Sequence, residues 1–286
     1  MRAVSVCIGN RYTWNAICLT VESILERTRY PAYRIIVADN SMAPNNRVRE
    51  YHPETPEMED NGNRLEYLRE QSKAGTIKLI ENVDQDDKYG HGENIKVLLR
   101  ACETPLALLF VSTAEIIEGD WIRFLVDKLN SEPNVLGVAR EKPPGNHFDQ
   151  QWIAPIYWPN VMLLDMEKYR TFGNVDEDWD LKRVLLPDFK HPELFARLRP
   201  LATPDHDPPK VFCDTGWGLW EKVNYANPRG YKILDLHNYY YSHLRGGVNK
   251  IRLYSGVDRN SHRPYISHVQ TRLAEINSRL EWLRKE

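Results

Sequence analysis

The run Leu106–Val111, LALLFV, is apolar throughout and breaks at once into Ser112, Thr113, Ala114 and Glu115. A run this short cannot span a bilayer and suits a strand buried on both faces. Gly119 and Asp120 then open a helix over Trp121–Leu129. In an open α/β sheet, ligands sit outside the carboxyl ends of the strands. Chemistry is therefore expected around Ser112–Glu115, and the alternative is an ordinary polar turn.

The chain upstream repeats this plan. Ala3–Ile8 reads as a strand broken by Gly9, Asn10 and Arg11. A helix follows over Trp14–Glu26, with Thr13 able to cap it and apolar residues at helical spacing. Tyr33–Ala38 is a second strand, ending in Asp39, Asn40 and Ser41. Strand, helix and strand in so short a span form a βαβ unit and imply a parallel sheet. A helix around Arg64–Gln71, a strand at Ile77–Glu81 and a helix over Glu93–Ala101 lead into Leu106–Val111. Val135–Ala139 is another strand.

After Arg140 the pattern changes. Val161–Leu164 reads as a strand, Met166–Thr171 as a short helix stopped by Gly173, and Asn174–Lys210 as irregular and rich in proline. Val211–Asp214 runs from strand into a turn, Gly216–Tyr225 is a helix and Tyr231–Leu236 a strand. The tail from Ser267 to Glu286 is helical, with Val269, Leu273, Ile276, Leu280 and Leu283 on one seam. That seam is too short for a coiled coil. It packs back onto the domain or, alternatively, builds a homodimer.

With 286 residues, the chain suits one large domain, or a domain with an appendage. Lys and Arg total 38 against 40 Asp and Glu, a formal charge of −2, which gives no sign of a nucleic-acid partner. The cysteines Cys7, Cys18, Cys102 and Cys213 are widely spaced and form no CxxC pair, so they read as reduced and mostly buried. Without a secretory leader or a transmembrane stretch, the expected location is the cytoplasm.

Five segments, in order, resemble the family-2 glycosyltransferases of the GT-A fold. VSVCIGNRYTWNAICLTVESILERTRYPAYRIIVADNS is similar to their opening βαβ unit. YGHGENIKVLLRACETPLALLFVSTAEI resembles their Gly-x-x-x-Asn helix and metal-motif strand, with Asn94 at the Asn position. NVMLLDMEKYRTFG resembles an acceptor-side strand and helix, FCDTGWGLWEKVNYANPRGYKILDL the segment with the catalytic acid, and YSHLRGG a late His-x-x-Gly-Gly. The resemblance covers about residues 1–250. It implies a GT-A-type, mostly parallel twisted sheet flanked by helices, with a nucleotide-binding half over 1–140 and an acceptor half over 141–250. Residues 251–286 would form a C-terminal loop and helical appendage.

The implied activity is sugar transfer from a nucleotide-diphosphate sugar to a hydroxyl on a carbohydrate or other acceptor, with inversion. The donor would meet Gly9, Asn10, Arg11, Asp39, Asn94, Ser112, Thr113, Arg245 and Lys250. The implied cofactor is Mg2+ or Mn2+, and here the chain departs from the family. Ser112, Thr113 and Ala114 stand where Asp-x-Asp is expected, leaving Glu115 and His243 as metal ligands. Hard divalent cations prefer carboxylate and phosphate oxygens. The cluster Arg245, Lys250 and Arg252, after Gly246–Gly247, is the other source of positive charge for a diphosphate.

Each assignment has a plainer alternative. Asp214, the implied general base, precedes a helix and can be its N-cap. Asp39 can be a turn residue, His243 a packed histidine, and the basic cluster a solvated loop. Trp152, Tyr157, Trp158 and Trp217 can line an acceptor groove or pack as core. Two other functions compete: a catalytically inactive nucleotide- or partner-binding relative, and a nucleotidyltransferase.

Overall fold

In the computed structural model, the described residues are 1–10, 16–39, 63–81, 90–112, 114–116, 119–146, 152–195, 210–236, 251–253, 274, 275 and 278. The chain begins with β1 (Val4–Asn10), α1 (Ala16–Arg27), β2 (Tyr33–Asp39), α2 (Asn63–Lys73), β3 (Ile77–Glu81), α3 (Gly90–Ala101) and β4 (Leu106–Val111). It continues through β5 (Ala114–Ile116), α4 (Trp121–Leu129), β6 (Val135–Lys142), β7 (Gly145–Asn146), β8 (Trp152–Ile153) and β9 (Ile156–Asp165). Then come α5 (Met166–Phe172), α6 (Val175–Asp178), β10 (Lys182–Leu185), β11 (Lys210–Cys213), α7 (Trp217–Tyr225), β12 (Lys232–Asp235) and β13 (Ile251–Leu253).

Seven strands form the main sheet, in the order β12-β6-β9-β4-β1-β2-β3. Every pair is parallel except the two that β9 makes, with β4 and with β6. The mostly parallel α/β architecture expected from the sequence is therefore the one observed. Side chains alternate between the faces of a strand, and the core divides accordingly. Val6, Ile8, Leu108 and Phe110 face a cluster completed by α1, α2 and α4. Cys7, Ile36, Ala107 and Leu109 face a second cluster completed by α3, α5 and α7. Burial on both faces explains why β4 reads as an unbroken apolar run and β1 and β2 as mostly apolar ones. All four cysteines are buried and free.

Three readings need correction. The strand expected at Val161–Leu164 spans Ile156–Asp165, because its first half pairs with the extended end of β6. The stretch expected to be irregular contains α6 and β10, and β10 joins a second sheet of order β10-β11-β8-β7. Those strands have two to four residues each, too few to show a period in sequence. Ser112–Glu115 is not a plain turn, since residues from Ala114 onward form β5, paired antiparallel with β13. In the C-terminal tail, only Ala274, Glu275 and Ser278 lie among the described residues, and they are helical.

Candidate functional site

The carboxyl ends of β1, β2 and β4 lie side by side. Register puts Asn10 opposite Asp39 and Gly9 opposite Val111. The buried Asn10 amide donates from Nδ2 to Asp39 Oδ1 at 2.6 Å. Asn94, on α3, donates from Nδ2 to the Asn10 carbonyl at 3.2 Å. Gly9 permits this approach, because a Cβ there would lie 3.1 Å from Asn94 Cβ. The structure thus brings Gly9, Asn10, Asp39 and Asn94 together. Asn94 Oδ1 is buried without a hydrogen-bond donor among the described residues.

Ser112 lies next to this group, at the end of β4. Its carbonyl accepts from Thr20 Oγ1 at 2.9 Å, and the same hydroxyl accepts the Ala114 N–H at 3.2 Å. Ser23 Oγ accepts the Ile116 N–H at 3.0 Å. Two hydroxyls on the buried face of α1 therefore fix the turn from β4 to β5. Polar residues inside an otherwise apolar helical stripe were the available signal for this role. Across β5, register places Arg252 opposite Glu115. The Glu115 side chain lies outside the described residues, as do Arg11, Thr113, His243, Arg245 and Lys250.

The second half of the site is built around Asp214, which follows β11 of the second sheet. Its Oδ1 accepts the Thr215 N–H at 2.8 Å, and its carbonyl accepts the Trp217 N–H at 3.0 Å. The N-cap of α7 is Gly216, with φ of 100° and no side-chain cap bond. The N-cap position is therefore held by Gly216, and Asp214 bonds the turn before it. Gly216 is required here twice over. Its left-handed backbone favours glycine, and a Cβ would lie 2.5 Å from the Tyr157 carbonyl oxygen.

Helix α3 joins the two halves. Asn94 reaches Asn10, while Gly92 abuts the Trp179–Thr215 region. A Cβ at Gly92 would lie 2.2 Å from the Trp179 carbonyl oxygen and 3.8 Å from Thr215 Oγ1. Lys96, one turn on, binds Glu93 at 2.7 Å and also pairs with Asp180. Gly92 of GHGEN, read as part of a family motif, thus allows the helix to pack against the Trp179 backbone.

Among the ionisable neighbours of Asp214, Cys213 and Tyr157 are poorly suited to proton transfer. Burial pushes the Cys213 thiol up to about 12. Burial likewise pushes the Tyr157 hydroxyl up to about 12, although it accepts a hydrogen bond from Asn224 at 3.3 Å. Both stay protonated near neutral pH. Asp214 is half-buried and pairs with no cation among the described residues. Trp152, Tyr157 and Trp217 pack into the second core, while Trp158 is half-buried. His191 is stacked on Tyr225 at 3.9 Å and bound to Glu221 at 3.0 Å.

Of the residues expected to hold Mg2+ or Mn2+, the Glu115 side chain and His243 lie outside the described residues. No group of three His, Cys, Asp or Glu able to hold a metal exists among the described residues. The positions of the family's two aspartates are a serine and an alanine.

The sheet order and flanking helices define an α/β protein with a mostly parallel central sheet. No protein-family model and no curated protein matches the chain. Among solved structures it is similar to a mannosyltransferase, PcManGT from Pyrobaculum calidifontis, in complex with GDP-Man and Mn2+. The identity is 14% and the TM-score 0.43, over 87% of this chain and 66% of that one. It is also similar to GalNAc-T7 with UDP, GalNAc and Mn2+, at 12% identity and a TM-score of 0.43, over 60% of this chain and 37% of that one. The chain thus spans 66% and 37% of the lengths of these two structures. The architecture given above rests on this chain's own strand order and registers.

Proposed function

We propose that the chain is a glycosyltransferase of the GT-A type, similar to family 2, using a nucleotide-diphosphate sugar and inverting the transferred centre. The observation that carries this reading is the bridging by α3: Asn94 holds the Asn10–Asp39 pair while Gly92 abuts the turn beside Asp214. This bridging supports a nucleotide-binding half on the main sheet with an acid for the acceptor beside it, at the end of β11 in the second sheet. Asp39 and Asn10 contact the nucleoside, and the segment from Ser112 to Glu115 faces the diphosphate. Asp214 takes the proton of the acceptor hydroxyl as its oxygen attacks C1. The C1–O bond to the diphosphate breaks, and its electron pair leaves with the nucleoside diphosphate. The pairing of β13 with β5 favours a basic C-terminal segment, rather than two aspartates, as the source of compensating charge. The loss of Asp-x-Asp also favours the second reading, a relative that binds nucleotide without turnover.

Asp39 provides the test of the nucleotide half. Asp39→Ala is expected to weaken binding of the cognate nucleotide by about 1–3 kcal/mol, the cost of losing a buried polar partner. Titration calorimetry reads this directly, and unchanged affinity would take Asp39 out of the site.

A further inference from the structure

A polar cluster lies inside the molecule towards the amino ends of β1 and β4. Ser5, Cys7, Cys102 and Thr104 are all buried there, and both cysteines belong to the second core. Ser5 and Cys7 are two apart on β1, so they share one face of the strand. Ser5 Oγ lies 2.8 Å from Thr104 Oγ1, which in turn lies 3.4 Å from Cys102 Sγ. The Cys7 thiol closes the circle with a hydrogen bond to the Cys102 sulfur. The proposed transferase chemistry does not use this cluster. Asn10 and Asp39 stand at the opposite, carboxyl ends of their strands.

The surroundings set the two sulfurs apart from each other and from the remaining cysteines. Arg34, on β2, donates from Nε to Ser5 Oγ at 3.0 Å and from Nη1 to Glu103 at 3.1 Å. Its Nη2 is buried with no acceptor among the described residues, and its charge reaches Cys7. An unsatisfied guanidinium N–H favours negative charge nearby. The bond from Cys7 is the chief cause that holds the Cys102 thiol well below its ordinary value, against the upward push of burial. The same bond, with burial, raises Cys7. Cys102 is thus the better thiolate and Cys7 the better thiol. Cys18 lies in the core on the other face of the sheet, and burial pushes Cys213 up to about 12. The route from solvent is short, because Glu103, next to Cys102, is exposed.

We infer that Cys7 and Cys102 form a redox pair, in which a hydroperoxide oxidises Cys102 and Cys7 then closes a disulfide with it. The Cys102 thiolate attacks one peroxide oxygen. An S–O bond forms, the O–O bond breaks, and its electron pair leaves as hydroxide. The Cys7 sulfur then attacks the Cys102 sulfur of the resulting sulfenic acid. The S–S bond forms, the S–O bond breaks, and the hydroxyl leaves with the Cys7 proton as water. The two thiols together lose two electrons, and the peroxide gains them. The product ties the residue after α3 to β1.

Mass spectrometry tests this on the full chain. Folded protein is treated with hydrogen peroxide, then denatured, alkylated and digested without reductant. The expected product is the Cys7 peptide joined to the Cys102 peptide, two hydrogens lighter than the separate pair. Cys18 and Cys213 are expected to be alkylated, and dithiothreitol to restore alkylation at Cys7 and Cys102. In Cys7→Ser the link is lost and dimedone labels Cys102 as a sulfenic acid, whereas in Cys102→Ser the Cys7 thiol stays reduced. Alkylation of all four cysteines after peroxide, or a disulfide between any other pair, overturns the inference. So does a wild-type Cys102 that passes to sulfinic acid while Cys7 stays alkylated, or a link that forms only in denaturant. Where a serine variant does not fold, the linkage map of the wild type decides alone.

Discussion

Asp214→Asn is expected to reduce turnover by at least about a hundredfold, since loss of a general base costs about 10²–10⁴-fold in rate. The substitution is nearly isosteric. The amide oxygen of asparagine can still accept the Thr215 N–H that Asp214 Oδ1 accepts at 2.8 Å. Stability is spared because the N-cap of α7 is Gly216 and depends on no side chain. Melting temperature and nucleotide affinity therefore stay close to wild type. Cys213 and Tyr157 cannot take over as bases, both being held protonated by burial. Wild-type turnover in Asp214→Asn would end the catalytic assignment.

Asp178→Ala is expected to cost about 3–5 kcal/mol of stability, because it leaves the buried Tyr169 hydroxyl and the Asn174 N–H without their acceptor, at about 1–3 kcal/mol each. Asp178 is fully buried at the end of α6. Its Oδ2 accepts the Tyr169 hydroxyl at 3.0 Å and the Asn174 N–H at 2.8 Å. Its Oδ1 lies 2.8 Å from Lys222 Nζ without a well-directed hydrogen bond, so charge rather than alignment holds that pair. The Tyr169 hydroxyl in turn accepts from Trp179 Nε1 at 2.8 Å. Burial raises the Tyr169 hydroxyl far above its ordinary value, so it remains a donor. The network fixes Trp179, whose carbonyl meets Gly92 on α3. Its loss should loosen the bridge between the two halves of the site. Calorimetric scanning should show a fall of about 10 °C, and a change below about 2 °C would show that the network contributes little.

Much of the sheet is legible in the sequence, and the reason is burial. β4 lies between two helical layers, so Leu106–Val111 carries no polar residue to blur it. Asp39 and Asn10 are legible because they end such runs. β5 is not, because its three residues pair with β13, more than a hundred positions away. Asp178 lies in VDED, which reads as a solvated acidic turn; only the packing of α5, α6 and α7 buries it. The cap of α7 is obscured in a different way. An aspartate two residues before a helix resembles a cap, and the left-handed glycine that displaces it is evident only from the backbone angle.

The measurement that bears most directly on the central claim is incubation with a panel of nucleotide sugars while following the phosphate-containing products. The account predicts that one donor is consumed with release of its nucleoside diphosphate, faster with an acceptor present. Because Ser112 and Ala114 bring no carboxylate to the end of β4, release should persist in EDTA. Loss of release in EDTA, restored by micromolar Mn2+, would overturn the charge assignment and make Glu115 and His243 metal ligands. Binding without release from any donor would identify a silent relative, and release of pyrophosphate instead would identify a nucleotidyltransferase. Either result would contradict the account.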